Sequence, residues 1–266
     1  MELVYPPVIG MVLAMFKVMG WKVTVEGAEH IPTVGPGVVA TNHVSYLDFT
    51  FVGYGVQRRG RLLRFLAKRE IFSHPVAGPL MRGMRHIPVD RFGRPADALE
   101  AAVVALRSGE LIGMFPEATI SRSFVPMRGK NGAARMAMAV GAPLIPGAVW
   151  GGQRLITKGR PRNLQRGVPI SVLFGEPIRY EAGEDPTEVT TRLMARITEL
   201  VDRAAAMYPD RPAGDDDRWW LPAHLGGTAP TVAQARELAH REATERRALR
   251  RGQSSPNGPV PPTSRH

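Results

Sequence analysis

The chain has 266 residues, 44% of them hydrophobic, which is enough for a folded core and excludes a wholly disordered protein. It contains no cysteine, which excludes disulfides, cysteine-ligated zinc and a thiol nucleophile. Lysine and arginine exceed aspartate and glutamate by 11, and this excess favours an anionic partner such as nucleic acid, an acidic membrane surface or a phosphorylated substrate.

The N-terminal segment, residues 1–20, is apolar but short. Its uncharged run from Leu3 to Phe16 falls below the roughly 20 apolar residues that a bilayer-spanning helix requires. It lacks a basic start and a small-residue cleavage site, which argues against a removable signal peptide. We therefore expect an interfacial membrane helix with its methionines and aromatic residues in the acyl region. The alternative is a helix packed on the protein's own core.

Residues 21–208 alternate between strand and helix patterns. Short apolar or alternating runs predict strands in KVTVE, GVVATN, LLRFLAKREIF (a strand, or a strand leading into a helix), the end of MRGMRHIPVDR, LIGMFPE, APLIPGAVW and PISVLFGEPI. Helices are predicted over LDFTFVGYGVQ, Ala96–Ser108, GAARMAMAVG and Pro186–Met207. This alternation is typical of an α/β domain.

Residues 209–266 have a different composition, rich in turn-forming and basic residues. We interpret them as an exposed and partly disordered tail that contains a helix candidate over Thr231–Arg251. Trp219 and Trp220 are expected either to pack back on the domain or to touch the bilayer interface.

His43 and Asp48 lie five positions apart in ATNHVSYLDFT, directly after a predicted strand. If a helix begins near Ser45, one turn of backbone brings the Asp48 carboxylate to one imidazole nitrogen and leaves the other as a general base. The chain has no G-x-S-x-G motif, so this base would act on a hydroxyl supplied by a substrate. The alternative for such a pair is a purely structural hydrogen bond.

The stretch NHVSYLD resembles the N-H-x-x-x-x-D signature of the glycerolipid acyltransferase family, the 1-acylglycerol-3-phosphate acyltransferases. Further blocks follow in the family's order over about residues 23–150. These are LAKREIF with Lys68, GMRHIPVDR ending in Arg91, FPEATIS with Glu117, Thr119 and Ser121, and APLIPGAV with Pro146. The resemblance implies a mixed β-sheet flanked by helices, with His43, Asp48 and Glu117 at one rim beside an apolar acyl tunnel.

The resemblance also implies a reaction. An acyl group would pass from acyl-CoA or acyl carrier protein to a free hydroxyl of lysophosphatidic acid, giving phosphatidic acid. His43 would be the base and Asp48 would stabilise its imidazolium. Substrate binding would fall to Lys68, Arg91, Glu117, Thr119 and Ser121. No cofactor is expected, and a metal is not expected because the seven histidines form no H-x-x-x-H pair.

Two residues depart from the family's third block, which has glycine and arginine where this chain has Ala118 and Ile120. The family's arginine there is associated with the acceptor phosphate. Either Arg91, Lys68, Arg122 or Lys130 therefore holds the phosphate, or the acceptor is another lysophospholipid or a glycolipid.

The expected partners are membrane lipids, the acyl donor and lysophosphatidic acid, with the protein peripheral on the cytoplasmic face of the cell membrane. A basic nucleic-acid-binding protein is the remote alternative that the net charge raises. The sequence lacks the recognisable binding module and the basic stripes interleaved with aromatic residues that such a protein would have, so no nucleic-acid partner is expected.

Overall fold

A mixed β-sheet organises the fold. The computed structural model describes residues 3–90 and 94–253, and within them the sheet has seven strands. The strands are β1 (Lys22–Glu26), β2 (Gly37–Thr41), β3 (Leu63–Lys68), β4 (Ile87–Val89), β5 (Leu111–Met114), β6 (Leu144–Trp150) and β7 (Pro169–Phe174). Their order is β1-β7-β6-β2-β5-β3-β4, and every neighbouring pair is parallel except the antiparallel pair β6 and β7. The predicted mixed sheet is confirmed.

Helices cover both sides of this sheet. They are α1 (Tyr5–Met19), α2 (Asp48–Gln57), α3 (Arg69–Phe72), α4 (Ala77–Gly83), α5 (Pro95–Arg107), α6 (Gly132–Met138), α7 (Pro186–Ala206) and α8 (Val232–Gln253). The longest helix of the domain, α7, begins where the Asp185 side chain accepts a hydrogen bond of 2.8 Å from the N–H of Thr187. In the part of the chain that the structure describes, no helix is both long enough and apolar enough to cross a bilayer.

The core has two layers because successive strand residues point to opposite faces of the sheet. Val38 of β2 packs with the helices α5, α6 and α7, whereas its neighbour Val39 packs with α1 and α2. All five residues of β2 are buried, as expected for a central strand covered on both faces.

Helix α1 packs one side on the domain's own core. The Phe16 ring stacks on Phe51 of α2 at a centroid distance of 5.4 Å, and the Tyr5 hydroxyl donates a hydrogen bond to the carbonyl of Leu63. Its other side is in solvent, with Met11 and Val18 exposed by 59% and 62%. Core packing, the alternative in the sequence analysis, therefore occupies one side of the helix and leaves an apolar side uncovered.

Residues after 208 continue the folded unit. Trp220 is buried against Tyr208, with ring centroids 5.6 Å apart, and the Arg154 guanidinium lies 4.8 Å from the Trp220 ring centroid. Packing on the domain is one of the two positions expected for Trp220, and burial of its large indole offsets the cost of ordering this turn-rich segment. The segment 254–266 lies outside the described residues.

Candidate active site

The site is built at the sheet edge where the parallel strands β2, β5 and β3 all end. Carboxyl ends of parallel strands are the usual place for a site in an α/β sheet. His43 follows β2, Phe115 follows β5, and Lys68 is the last residue of β3. His43 and Lys68, both singled out in the sequence analysis, therefore lie at the same edge as Phe115.

Asn42 fixes the start of the loop after β2. Its side-chain amide donates to the carbonyl of Val149 at 3.0 Å and accepts from the N–H of the same residue at 2.7 Å. A side chain that mimics a strand partner in this way joins the loop to β6. The sequence analysis gave Asn42 no role, since pairing with a residue so distant in the chain leaves no local signal.

His43 and Asp48 are in direct contact. The His43 Nδ1 atom lies 2.9 Å from Oδ2 of Asp48, whose side chain is fully buried at the first residue of α2. The same oxygen accepts the backbone N–H groups of Val44 and Ser45, each at 2.7 Å. One carboxylate thus orients the imidazole and shapes the loop that carries it.

Helix α2 starts at Asp48, within one residue of the predicted segment LDFTFVGYGVQ. The contact between His43 and Asp48 forms without the helix start near Ser45 that the sequence analysis considered. Residues 44 and 45 donate to the Asp48 carboxylate, which satisfies their N–H groups outside a helix. The Ser45 hydroxyl donates to the carbonyl of Ile156 at 2.8 Å, so it anchors the loop to the segment around residue 156.

The Phe115 ring stacks on the face of the His43 imidazole. The rings of His43 and Phe115 are stacked at 4.0 Å with planes 10° apart, and Phe115 in turn stacks on Phe65 at 5.8 Å. Within the described residues, His43 Nε2 makes no hydrogen bond, and the side chain is 18% exposed. The second nitrogen is therefore available to a bound molecule.

The Glu117 side chain supports the loop that carries His43 by accepting backbone N–H groups. Its Oε1 accepts the N–H of His43 and its Oε2 accepts the N–H of Met127, both at 2.9 Å. Burial raises the pKa of Glu117 to about 8, although the two N–H donors act in the opposite direction. Both carboxylate oxygens thus bind backbone groups of the loops, whereas the sequence analysis placed Glu117 among the substrate-binding residues.

The remaining residues of the third block differ in how deeply they are buried. Ser121 is buried, its N–H donates to the carbonyl of His43 at 2.8 Å, and its hydroxyl donates to the carbonyl of Val125 at 2.7 Å. These bonds assign Ser121 a structural position, whereas Thr119 is half-buried. Lys68 is exposed at the same sheet edge, and Arg91 lies outside the described residues.

The two departures from the family pattern have visible consequences. Ala118 adopts a left-handed backbone with φ of 56°, the conformation that glycine adopts most easily. Ile120 is 5% exposed, so an apolar side chain is buried at the position where the family has arginine.

An apolar cavity of about 80 Å³ lies between α1, α2 and β3. Phe65 lines this cavity and also continues the ring stack to Phe115 and His43. The cavity is thus joined to the imidazole by two aromatic rings. Over residues 3–90 and 94–253, no three histidine, aspartate or glutamate side chains are grouped as metal ligands.

Comparisons with known proteins identify a family model, similar sequences and a similar fold. The Acyltransferase family model matches residues 22–150. A 1-acyl-sn-glycerol-3-phosphate acyltransferase of Bacillus subtilis is 27% identical over 190 residues, which are 68% of this chain and 89% of that protein. A chloroplast enzyme of the same name from Arabidopsis thaliana is 27% identical, and the matched part covers 68% of this chain but 50% of that one.

A human relative, 1-acyl-sn-glycerol-3-phosphate acyltransferase alpha, is 32% identical over 51% of this chain and 48% of its own length. The chain thus spans about half the length of the Arabidopsis and human relatives. Among solved structures, the 1-acyl-sn-glycerophosphate acyltransferase PlsC from Thermotoga maritima matches with a TM-score of 0.63 at 23% identity, covering 77% of this chain and 81% of that one. That likeness establishes the shared fold. Residues 22–150 therefore form an acyltransferase domain, and the chain is similar to the 1-acyl-sn-glycerol-3-phosphate acyltransferases.

Proposed function

We propose that the protein transfers an acyl group from acyl-CoA, or from acyl carrier protein, to the free hydroxyl of lysophosphatidic acid and so forms phosphatidic acid. The observation that carries this proposal is the contact of 2.9 Å between His43 Nδ1 and Asp48 Oδ2, beside a second ring nitrogen without a hydrogen bond in the described residues. The names of the relatives in Bacillus and Arabidopsis support the acceptor.

The chemistry follows from the tautomer that this contact favours. With its Nδ1–H donated to Asp48, His43 presents the Nε2 lone pair, which accepts the proton of the acceptor hydroxyl. The hydroxyl oxygen then attacks the thioester carbonyl and forms a tetrahedral oxyanion. Collapse of this intermediate expels the thiolate, and the imidazolium returns the proton to it. Asp48 stabilises the imidazolium during these steps.

The fatty chain of the donor or acceptor is proposed to enter the apolar cavity beside Phe65. Most of the side chains that line the cavity are aliphatic or aromatic, which suits a hydrocarbon chain. The lining residues used here are Val8, Ile9, Val12, Leu13, Phe49 and Phe65. Because α1 supplies four of them, the N-terminal helix belongs to the proposed substrate site.

Peripheral attachment to the cytoplasmic face of the membrane is part of the same proposal. The uncovered side of α1 presents Met11 and Val18, and Phe49 of α2, which lines the same cavity as α1, is also exposed. An interfacial helix with such a side inserts its apolar residues at the boundary between headgroups and acyl chains. A lipid acceptor could then reach the site without leaving the bilayer.

The acceptor has one further candidate class. The buried Ile120 removes the guanidinium that the family pattern places there, which favours testing a second lysophospholipid and a glycolipid beside lysophosphatidic acid. Lys68 and Thr119 remain proposed substrate contacts, as does Arg91. Ser121 and Glu117 are proposed to act through the loop that carries His43, because most of their hydrogen bonds are to backbone groups of this region.

The test is an acceptor screen with labelled palmitoyl-CoA and the purified full chain. We expect transfer to lysophosphatidic acid, and we expect His43→Ala to lower the rate by about 10² to 10⁴, the usual contribution of a general base. Circular dichroism and thermal unfolding of the variant report whether it folds. Near-parental transfer by a folded His43→Ala protein would refute the proposed base.

A further inference from the structure

A second charged cluster lies next to the loop that carries His43. The Glu242 carboxylate of α8 is held between two cations, with one oxygen bound to Nη2 of Arg122 and the other 2.7 Å from Nζ of Lys158. The side chains of Arg122, Lys158 and Glu242 are 19%, 18% and 25% exposed. The cluster is thus partly shielded from solvent, and two positive charges face one negative charge.

Both cations follow residues that are bonded to the proposed catalytic loop. Arg122 comes directly after Ser121, whose N–H donates to the carbonyl of His43 at 2.8 Å. Lys158 comes directly after Thr157, whose hydroxyl donates to the carbonyl of Val44 at 2.7 Å. Consecutive Cα atoms are about 3.8 Å apart. The backbone of Arg122 and that of Lys158 are therefore each about this distance from a residue that is hydrogen-bonded to the loop.

The Arg122 guanidinium packs against Gly159 and has a nitrogen donor without a hydrogen-bond partner in the described residues. It lies against Gly159, where an added Cβ would come within 1.8 Å of Nη1, so the absence of a side chain there makes room for it. The Arg122 Nε atom is buried and has no hydrogen-bond partner within the described residues. A carboxylate therefore leaves part of this arginine unsatisfied.

A phosphate group suits this pair better than a carboxylate does. It carries more acceptor oxygens and up to two negative charges, and arginine binds it through paired N–H groups. Burial alone would raise the pKa of Glu242, yet the hydrogen bonds and charges of Lys158 and Arg122 lower it overall, as expected for a carboxylate held by two cations.

We propose that Arg122 and Lys158 form a phosphate-binding pair beside the catalytic loop, which the Glu242 carboxylate of α8 fills when no ligand is bound. This inference rests on the proposed function for the source of the phosphate, which is the phosphomonoester of the acceptor or a phosphate of the CoA donor. Glu242 is then a competitor that the substrate must displace, and its contact tunes substrate affinity.

The experiment measures binding to the full chain by isothermal titration. The probes are lysophosphatidic acid and the phosphate-free monoacylglycerol of the same chain, and CoA and its 3′-dephospho form. Glu242→Gln keeps the side chain's shape but removes the competing charge. We expect it to tighten binding of a phosphate-bearing probe by about three- to tenfold, the effect of one partly shielded charge pair. Arg122→Gln and Lys158→Gln are expected to weaken the same binding by a similar factor.

The matched control is Glu237→Gln on the same helix, which removes an exposed ion pair with Arg241 and should change no affinity. A gain in the lysophosphatidic acid arm assigns the pair to the acceptor, and a gain confined to CoA assigns it to the donor. A gain of affinity cannot come from misfolding, so Glu242→Gln separates the proposal from a structural role. Unchanged or weaker binding of every phosphate-bearing probe to Glu242→Gln would overturn it.

Binding is measured without turnover, so this result is independent of the acyl-transfer assay. A parental protein that binds phosphate-bearing probes through Arg122 and Lys158 but fails to acylate lysophosphatidic acid would sustain the phosphate pair and refute the proposed reaction. The reverse result would leave the reaction standing and remove the pair.

Discussion

At the residue scale, the site depends on three hydrogen bonds that a single carboxylate oxygen accepts. Oδ2 of Asp48 accepts from the imidazole of His43 and from two backbone N–H groups, whereas Oδ1 has no hydrogen-bond partner among the described residues. Gly152 allows this close packing, since an added Cβ would lie 3.1 Å from Oδ1. Loop shape and ring orientation are therefore set by the same group, which explains the fixed spacing between His43 and Asp48.

Ala118 gives a direct test of backbone strain in the third block. Its φ of 56° puts an alanine in the left-handed region, which costs roughly 1–2 kcal/mol for a residue with a Cβ. Ala118→Gly relieves this strain but adds freedom to the unfolded chain, which takes back about 0.4–1 kcal/mol. We expect a net rise in the free energy of unfolding of about 0.5–1 kcal/mol, measured by urea denaturation.

Ala139→Gly serves as the control for this prediction. Ala139 is the C-cap residue of α6, with an ordinary φ of −62°, so glycine there brings only the entropic cost and should destabilise the protein. If both variants lower the midpoint of unfolding equally, the strain assigned to Ala118 is wrong.

At the element scale, the strands could be predicted from the sequence and their order could not. Apolar runs such as GVVAT and LIPGAVW predict buried strands, because a strand covered on both faces has consecutive apolar or small residues. The pairing of β1 with β7 joins segments from opposite ends of the domain, and no local pattern records it. The start of α2 at Asp48 lies within one residue of the predicted segment LDFTFVGYGVQ, and the Asp48 carboxylate satisfies the N–H groups of Val44 and Ser45 before it.

The candidate site divides in the same way. His43 and Asp48 could be paired from their spacing, since their contact is local. Glu117 was identified by type, but its two backbone partners at residues 43 and 127 come from tertiary packing. The burial of Trp220 could be raised only as one of two options, because an indole suits a core and a membrane interface equally well.

Helix α1 carries the prediction on membrane attachment. Met11 and Val18 are exposed, and each would contribute about 1.5–3 kcal/mol if buried in lipid. We expect the double variant Met11→Glu with Val18→Glu to move the protein from the vesicle pellet to the supernatant, with at least a tenfold weaker partition in sedimentation with anionic vesicles.

The control adds the same two negative charges away from α1. Ala195→Glu with Met207→Glu places them on the exposed side and at the end of α7. Electrostatic repulsion alone would weaken both double variants equally, and that outcome would contradict an insertion of α1. Partial deletion of the helix is a poorer test, because Phe16 belongs to the core.

At the scale of the whole molecule, His86 links the N-terminal helix to the site. Its ring packs edge-to-face on Tyr5 of α1 at 5.9 Å and contacts Phe65 at 6.0 Å, and Phe65 begins the ring stack that ends at His43. Its Nδ1 accepts the N–H of Phe65 at 3.0 Å, which requires that nitrogen to be unprotonated. The packing of His86 thus depends on a neutral ring.

This requirement makes the stability of the fold depend on pH. Burial, followed by the nearby charge of Arg64, lowers the pKa of His86 from 6.5 to about 4. Between these values the unfolded chain binds a proton that the folded chain does not, so the free energy of unfolding falls as the pH drops from about 6.5 to 4, by up to roughly 3 kcal/mol. Glu117 has the opposite effect, because its raised pKa favours the folded chain at low pH.

The two effects are separated by comparing the parental protein with His86→Gln, whose side chain can still accept from the N–H of Phe65 and does not titrate. Urea unfolding of both proteins at intervals from pH 4.5 to 8 gives their difference in free energy, to which Glu117 contributes equally in each. We expect the variant to be less stable at pH 8 and the difference to shrink, or to reverse, toward pH 4.5. A difference that stays constant across this range would show that the pKa of His86 is the same in the folded and unfolded states, contrary to the prediction.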